Sequence, residues 1–359
     1  MAAAVIVPEI SVIVPARNEE ASLGACLKSI VSQGGVRFEV IVVDDGSTDR
    51  TREIAKSFAD VCVVTPGPLP HGWSGKNNAV CAGASVARGE WLLFTDADTV
   101  HFSGSLARSL AEAKERNADL LSYSPKQEVQ GFWKKAVMPV IFAELAATFR
   151  PKEVNRADST AAAANGQYIL VRREAYDAIG GHASVATSLL EDVALARVMK
   201  RSGRRIFFRY GGDAVRTRMY RTFAQLQEGW TKNLVLLFPS PGRLALLRIG
   251  EFGGIVGSAL LAILGGLSGH TRGAMAFAVV AAIMEIFLLR RIRKAHFSRG
   301  ATGLSLLGLP LFSYLLVRSR RFYRRGSVTW KGRDYNINIK RAAGRSICAA
   351  LRSGGTTVE

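Results

Sequence analysis

Cysteine is scarce in this 359-residue chain, with four in all: Cys26, Cys62, Cys81 and Cys348. They have neither metal-ligand nor Cys-x-x-Cys spacing, which argues against a zinc framework or a disulfide scaffold and fits ordinary thiols in a reducing compartment. Acidic residues are scarce in one region only. From Arg243 onward, 19 Lys and Arg face only Glu251, Glu285, Asp334 and Glu359, so that region holds +15 of the net +19. Such a basic half suits nucleic acid or an anionic membrane surface. The bases flank apolar runs and do not interleave with stacking aromatics, which argues against nucleic acid as a partner. The N-terminus lacks a basic n-region, so a cleaved signal is not expected. There is no internal repeat, no long low-complexity linker and no GxxxxGK[ST] phosphate loop. Nothing in the sequence speaks to oligomeric state.

What is present first is an alternation of strand and helix. "SVIVP" (11–15), "FEVIVVDD" (38–45), "VCVV" (61–64) and "EWLLFT" (90–95) are short apolar runs rich in β-branched residues. Between them lie helical stretches: one after Asn18, read as its cap, with Leu23, Leu27, Ile30 and Val31 at helical spacing; the polar "TDRTREIAKSFA"; and "GKNNAVCAGASVA" (75–87). Continuously apolar strands alternating with helices imply a mostly parallel sheet covered on both faces. "QYILVRREAYDAIGG" (167–181) reads as a strand followed by a short helix. "SLLEDVALARVMKRSG" (188–203) reads as a helix with acids at its start and bases at its end, as the helix dipole favours. "FWKKAVMPVIFAELAATF" (132–149) is either an interfacial or a packed core helix.

Beyond about residue 242 the chain changes character. Apolar runs at 251–269 and 273–289 are of spanning length. The strongly basic loop after the second predicts a hairpin whose basic end is cytoplasmic. The third run, 301–317, contains Gly303, Gly308 and Pro310 and precedes the basic "RSRRFYRR". It is read as a third span or, preferably, as a re-entrant or interfacial segment that keeps 318–359 as a basic cytoplasmic tail. The expected organisation is a catalytic domain over 1–242, a membrane region over 243–317 and that tail.

In open α/β sheets, ligands bind outside the carboxyl ends of the strands, and the polar residues that follow each run collect there. Asp44-Asp45-Gly46-Ser47 is either a simple capped turn or a ligand contact. Asp96 and Asp98 close the fourth run. Two carboxylates one residue apart suit a hard cation, Mg2+ or Mn2+, whose remaining ligands are phosphate and water. Lys76, at a glycine turn opening a helix, suits phosphate or a nucleotide. Glu191-Asp192 is either a dipole-stabilised helix start or holds a general base.

Together "VPARNEE", "VVDDGSTD", "GKNNA", "FTDADT", "NGQYILVRREAYDAIGG" and "LEDVALARVMKRSG" resemble the inverting glycosyltransferases of family 2 over about residues 9–235. "LPHGWSGKNNA" and "VTWKGRDY" resemble a membrane-associated branch that includes enzymes thought to glycosylate hopanoid or carotenoid lipids. The resemblance implies the GT-A fold, a Rossmann-like, mostly parallel sheet with helices on both faces, followed here by transmembrane or interfacial helices. It implies that Pro15, Arg17, Glu19 and Asp45 surround the nucleotide, with Lys76 nearby. Asp96 and Asp98 serve the sugar-nucleotide and its metal. Gly166 and Gln167 line the donor sugar and acceptor region, and Asp192 is the base. In place of the QxxRW motif of processive relatives stands Leu226-Gln227-Glu228-Gly229-Trp230, which keeps only Trp230. That argues against a polymerising synthase and leaves the diphosphate-contacting arginine to Arg333 or Lys331. The implied activity moves one sugar, from UDP in most of the family, to a lipid or lipid-linked hydroxyl at the cytoplasmic membrane face. The alternatives are a polyprenyl-phosphate sugar transferase and, from another class, a catalytically idle membrane scaffold.

Overall fold

The computed structural model describes residues 7–330 and 332–336. The chain divides into two compact units, one of residues 1–128 with 149–219, the other of 129–148 with 220–359.

In the first unit the apolar runs become strands β1 (Ile10–Ala16), β2 (Phe38–Asp44), β3 (Val61–Val64) and β4 (Trp91–Phe94). They are joined through helices α1 (Leu23–Val31), α2 (Thr51–Lys56) and α3 (Gly75–Val86). There follow β5 (Thr99–His101), α4 (Ser105–Glu115), β6 (Leu120–Ser124) and β7 (Lys126–Gln127). After the chain returns come α6 (Pro151–Val154), β8 (Ile169–Arg172), α7 (Arg173–Ala178), α8 (Glu191–Arg201), β9 (Ile206–Tyr210) and β10 (Val215–Thr217). The main sheet has the order β3-β2-β1-β4-β8-β6-β9, parallel except where β8 runs against β4 and β6. A second sheet pairs β10 with β5 and β7.

Alternate residues of each strand feed two cores. Val12, Val14, Val40, Val42, Trp91 and Leu93 pack on one face, and Ile13, Ile41, Val43, Leu92 and Phe94 on the other. This is the period-two consequence of strands buried on both sides. Asn18 does not cap α1, which begins at Leu23 after Ser22. Asn18 instead takes a left-handed φ of 53°, which its short polar side chain tolerates, and its Oδ1 accepts from the Thr48 N–H at 2.9 Å.

The second unit is helical: α5 (Phe132–Thr148), α9 (Phe223–Leu237), α10 (Pro241–Leu267), α11 (Thr271–Arg293) and α12 (Arg299–Arg324), then a hairpin of β11 (Ser327–Trp330) and β12 (Arg333–Asn336). A capping box of Thr222 with Gln225 starts α9. Of the two readings for 132–149, the packed helix is observed: Ala136, Val137, Met138, Val140, Ile141 and Ala143 are buried, with Phe132 and Trp133 exposed at the start. The helix is grouped with 220–359 and not with the sheet, so the units divide the chain differently from the expected boundary at 242.

Among the described residues, three helices are long and apolar enough to cross a membrane: α10, α11 and α12, whose most apolar stretches have mean hydropathy 1.6, 1.9 and 1.6. Only 6% of the apolar stretch of α10 and of α11 is buried, against 44% for α12. Gly303, Gly308 and Pro310 do not interrupt α12. Gly308 meets α5 so closely that a Cβ there would stand 2.0 Å from the Ala136 carbonyl oxygen. Charged side chains tie this unit together as well. Glu144 and Glu251 alternate with Arg248 and Arg291, the closest pairs being Arg248–Glu251 at 2.6 Å and Arg291–Glu251 at 2.8 Å.

Candidate active site

The carboxyl ends of β1, β2 and β4 carry the polar residues that the sequence singled out. Arg17, just past β1, donates from Nη1 to the Asp45 carbonyl at 2.6 Å and the Gly46 carbonyl at 3.3 Å. It thereby fastens the turn after β2, where the Asp45 N–H reaches back to the Ala16 carbonyl at 2.9 Å. Glu19 accepts from Ser22 Oγ at 2.6 Å, and its N–H donates to Thr51 Oγ1 at 2.7 Å. Pro15 lies within β1, paired in register with Val43. Asp44 accepts from the Ser47 N–H at 3.1 Å, so the capped-turn reading holds for Asp44. Asp45 is 8% exposed.

Asp96 and Asp98 follow β4. Lys76, on the first turn of α3, places Nζ 2.6 Å from Asp96 Oδ1 and 2.7 Å from Glu191 Oε1. Burial works against the Lys76 charge, but the two carboxylates outweigh it and raise its pKa well above the ordinary lysine value. Asp192, next on α8, accepts from the Gly166 N–H at 2.9 Å and from its neighbour Val193 at 2.7 Å. Burial, then the Glu191 charge, push its pKa up to about 6 against the pull of Lys76 and of those two amides. A Cβ at Gly166 would lie 2.9 Å from Lys76 Nζ, 3.3 Å from Glu191 and 3.6 Å from Asp192, so a larger residue there would press on the three charged side-chain ends.

Four of the expected residues therefore meet: Lys76, Asp96, Gly166 and Asp192. Gln167 supports the site from beneath. It is buried, donates from Nε2 to Thr217 Oγ1 at 3.1 Å, and Thr217 in turn donates to the Asp98 carbonyl at 3.2 Å. Two expected residues lie in the other unit. Trp230 is 2% exposed, donates Nε1–H to Met138 Sδ at 3.4 Å and packs edge-on to Phe142. This side chain is enclosed among the helices of its own unit. Arg333 stands on β12, opposite Trp330 in the hairpin register. Lys331 and Cys348 lie outside the described residues.

Two further residues matter here. The sequence offers Glu191 only together with Asp192, as a helix start or a general base, and only the fold sets it against Lys76. Asn77 is fully buried and donates from Nδ2 to the carbonyls of Val185 and Ala186 at 2.9 Å and of Ser188 at 3.1 Å. It thus ties the opening of α3 to the loop that leads into α8.

Among the described residues, no three His, Cys, Asp or Glu side chains gather as a metal cage. The donor set at the strand end is the pair Asp96 and Asp98, and Asp96 already faces a cationic group, the Lys76 ammonium. A hard divalent ion that takes its other ligands from phosphate and water asks no more of the protein. The residues fit such an ion. Chemically, the arrangement offers oxygen ligands for a cation, an ammonium for a phosphate, and a carboxylate of raised pKa suited to accepting a proton.

Residues 11–180 match the family model described as Glycosyl transferase family 2. The chain is 29% identical over 348 residues, 92% of this chain and 88% of the other, to the 4,4'-diaponeurosporenoate glycosyltransferase of Staphylococcus aureus strain USA300. The counterpart in strain MRSA252 is 28% identical over 340 residues, with the same shares covered. Among solved structures, the mannosyltransferase PcManGT from Pyrobaculum calidifontis, in complex with GDP-Man and Mn2+, superposes with a TM-score of 0.51 at 17% identity. That likeness covers 89% of this chain and 87% of the other, and it shows the GT-A-like fold.

Proposed function

We propose that this chain, whose residues 11–180 match the model of glycosyl transferase family 2, is a glycosyltransferase that moves a single sugar from a nucleotide-sugar to a lipid-type hydroxyl at the membrane. The observation that carries the reading is the meeting of Lys76, Asp96 and Asp192 around Gly166 at the ends of the strands. The S. aureus relative, named for 4,4'-diaponeurosporenoate, matches across 92% of this chain, apolar helices included, and supports an apolar acceptor.

In this reading the turn built by Arg17, Glu19, Asp45 and Pro15 receives the nucleotide, UDP being the first donor to test. Lys76 faces the diphosphate. Asp98 and Asp96 would hold Mg2+ or Mn2+, which would supply positive charge against that growing on the departing diphosphate. Asp192 takes the proton of the acceptor hydroxyl as its oxygen attacks the anomeric carbon opposite the leaving group. One displacement inverts the anomeric configuration. Gly166 keeps the junction open and its N–H orients the base. Arg333 serves the diphosphate in place of the missing QxxRW arginine, which requires the tail to return to the catalytic face.

The helices α10 and α11 form a hairpin in the membrane, and the bases between α11 and α12 keep that end at the cytoplasmic face. The apolar face of α12 is taken up by α5, α9 and α10, which suits a helix at the membrane surface with the tail beyond it in the cytoplasm.

The test is donor hydrolysis and transfer by the full chain purified in detergent, screened over UDP-, GDP- and dTDP-sugars with Mn2+, Mg2+ or EDTA. Metal-dependent release of one nucleoside diphosphate, lost in Asp98→Ala, is expected. No nucleotide binding and no turnover with any donor, acceptor lipids included, would refute the reading.

A further inference from the structure

One ammonium is shared by two acids. Lys76 Nζ stands 2.6 Å from Asp96 and 2.7 Å from Glu191. The side chain of Glu191 is only 9% exposed, against 30% for Asp96. A buried carboxylate is unfavourable unless paired, so this pairing is what permits an acid at that position. Lysine, by contrast, is a compact charge on a flexible four-carbon arm, and nothing in its own chain fixes the ammonium at one point. The two backbone segments that carry the pair are fastened to each other. Asn77 holds the carbonyls of Val185, Ala186 and Ser188, and the Ser74 N–H donates to the Ala186 carbonyl at 2.9 Å. Glu191 therefore sits at a fixed place relative to the root of Lys76.

We propose that Glu191 is a positioning residue that holds the Lys76 ammonium at the donor's diphosphate. The inference rests on the reading of Lys76 and Asp96 given above. Asp96 would serve the cation when one is bound; Glu191 would then remain the buried carboxylate paired with Lys76 and keep its ammonium in place for phosphate. Glu191 touches neither donor nor acceptor in this arrangement and acts through Lys76. The adjacent Asp192 keeps its own role, because its contacts run to Gly166 and Val193.

The test uses the full chain in detergent, with UDP and GDP, each with Mn2+, as calorimetric probes, alongside donor kinetics. Glu191→Gln keeps the shape of the side chain and removes its charge. It is expected to weaken binding of the nucleoside diphosphate about tenfold, as loss of a charge-assisted contact does. Donor KM rises by a similar factor, and kcat changes less. Lys76→Met weakens binding at least as much, and the double variant is no weaker than Lys76→Met alone. Glu191→Asp, still charged but one methylene shorter, recovers part of the affinity. Thermal midpoints confirm that each variant is folded. Wild-type binding by Glu191→Gln overturns the proposal, as does a loss that adds in full to that of Lys76→Met, or a Glu191→Asp no better than Glu191→Gln. A wild-type protein that binds neither probe overturns the functional reading itself, and the proposal with it.

Discussion

Asp192 is pulled two ways by pH. Its raised pKa means that the folded chain binds this proton more tightly than the unfolded chain does. The group's contribution to stability is therefore complete in the ordinary carboxylate range, near 3.8, and lost as pH rises through about 6. The proposed role as base needs the opposite form, because only the ionised carboxylate accepts a proton. The rate is expected to rise with pH through about 6 and then level, while this group's share of stability falls over the same window. A pH–rate profile of the full chain checks it. Asp192→Asn is expected to lower kcat by roughly 10²–10⁴, the usual worth of a general base, with nucleotide binding retained. Asn77→Ala removes a buried donor from the loop that leads into α8, where the Val185 and Ala186 carbonyls keep the N–H groups of Ser188 and Ser74 but the Ser188 carbonyl loses its contact, and should lower stability by about 1 kcal/mol. At this scale the sequence was partly legible. Asp96, Asp98 and Asp192 stand out in the sequence as candidates, by type and by place after an apolar run or at a helix start. The pairings of Glu191 and Asn77 do not, because their partners lie far along the chain and a salt bridge between α3 and α8 leaves no local signature. Asn18 misled for the converse reason: a cap and a left-handed turn both favour asparagine.

At the scale of the element, strands announced themselves well. Runs such as "VIVV" are too apolar for anything but a strand buried on both faces, and β1 to β4 fall within a residue or so of their expected ends. The helices of the second unit were harder. Length and hydropathy mark an apolar helix, but not what it packs against, so the packing of Trp230 on α5 was not legible in the sequence. Two contacts there carry predictions. Gly308→Ala forces a methyl group into the α5 backbone and should destabilise by about 1–3 kcal/mol, as overpacking does. Glu144→Ala leaves Arg248 and Arg291 with the partly buried Glu251 carboxylate between them. Breaking such a pair by removing one partner costs about 3–5 kcal/mol. Thermal midpoints in detergent check both, with Leu307→Ala, at a half-exposed α12 position, as a control expected to shift little.

For the whole molecule, the decisive surface is that of α10 and α11. Leu260, Leu261, Ile263, Leu264, Leu267, Met275, Phe277 and Val279 are all exposed. A contiguous apolar surface of that kind is satisfied by lipid and not by water. Washing membranes at high pH is expected to leave the full chain in the pellet; release into the supernatant would contradict the membrane reading. Cutting the chain after residue 242 should not yield a well-behaved soluble enzyme, since α5 and α9 would lose α12, on which both pack. Size-exclusion chromatography of that truncation is expected to show aggregates.

The assignment of α5 also bears on how the protein is made. Residues 132–148 leave the ribosome before any of 220–324 exists, yet the helix they form is completed only by α9 and α12. The sheet must also take up residues 149–219 after this apolar segment has emerged. Translation thus passes through a stage in which an unpaired apolar helix interrupts a half-built sheet. Closing so long a loop is slow and leaves apolar surface exposed meanwhile. Yield in the cell should accordingly depend on early delivery of the nascent chain to a bilayer or a chaperone that can shelter residues 132–148 until their partners are synthesised.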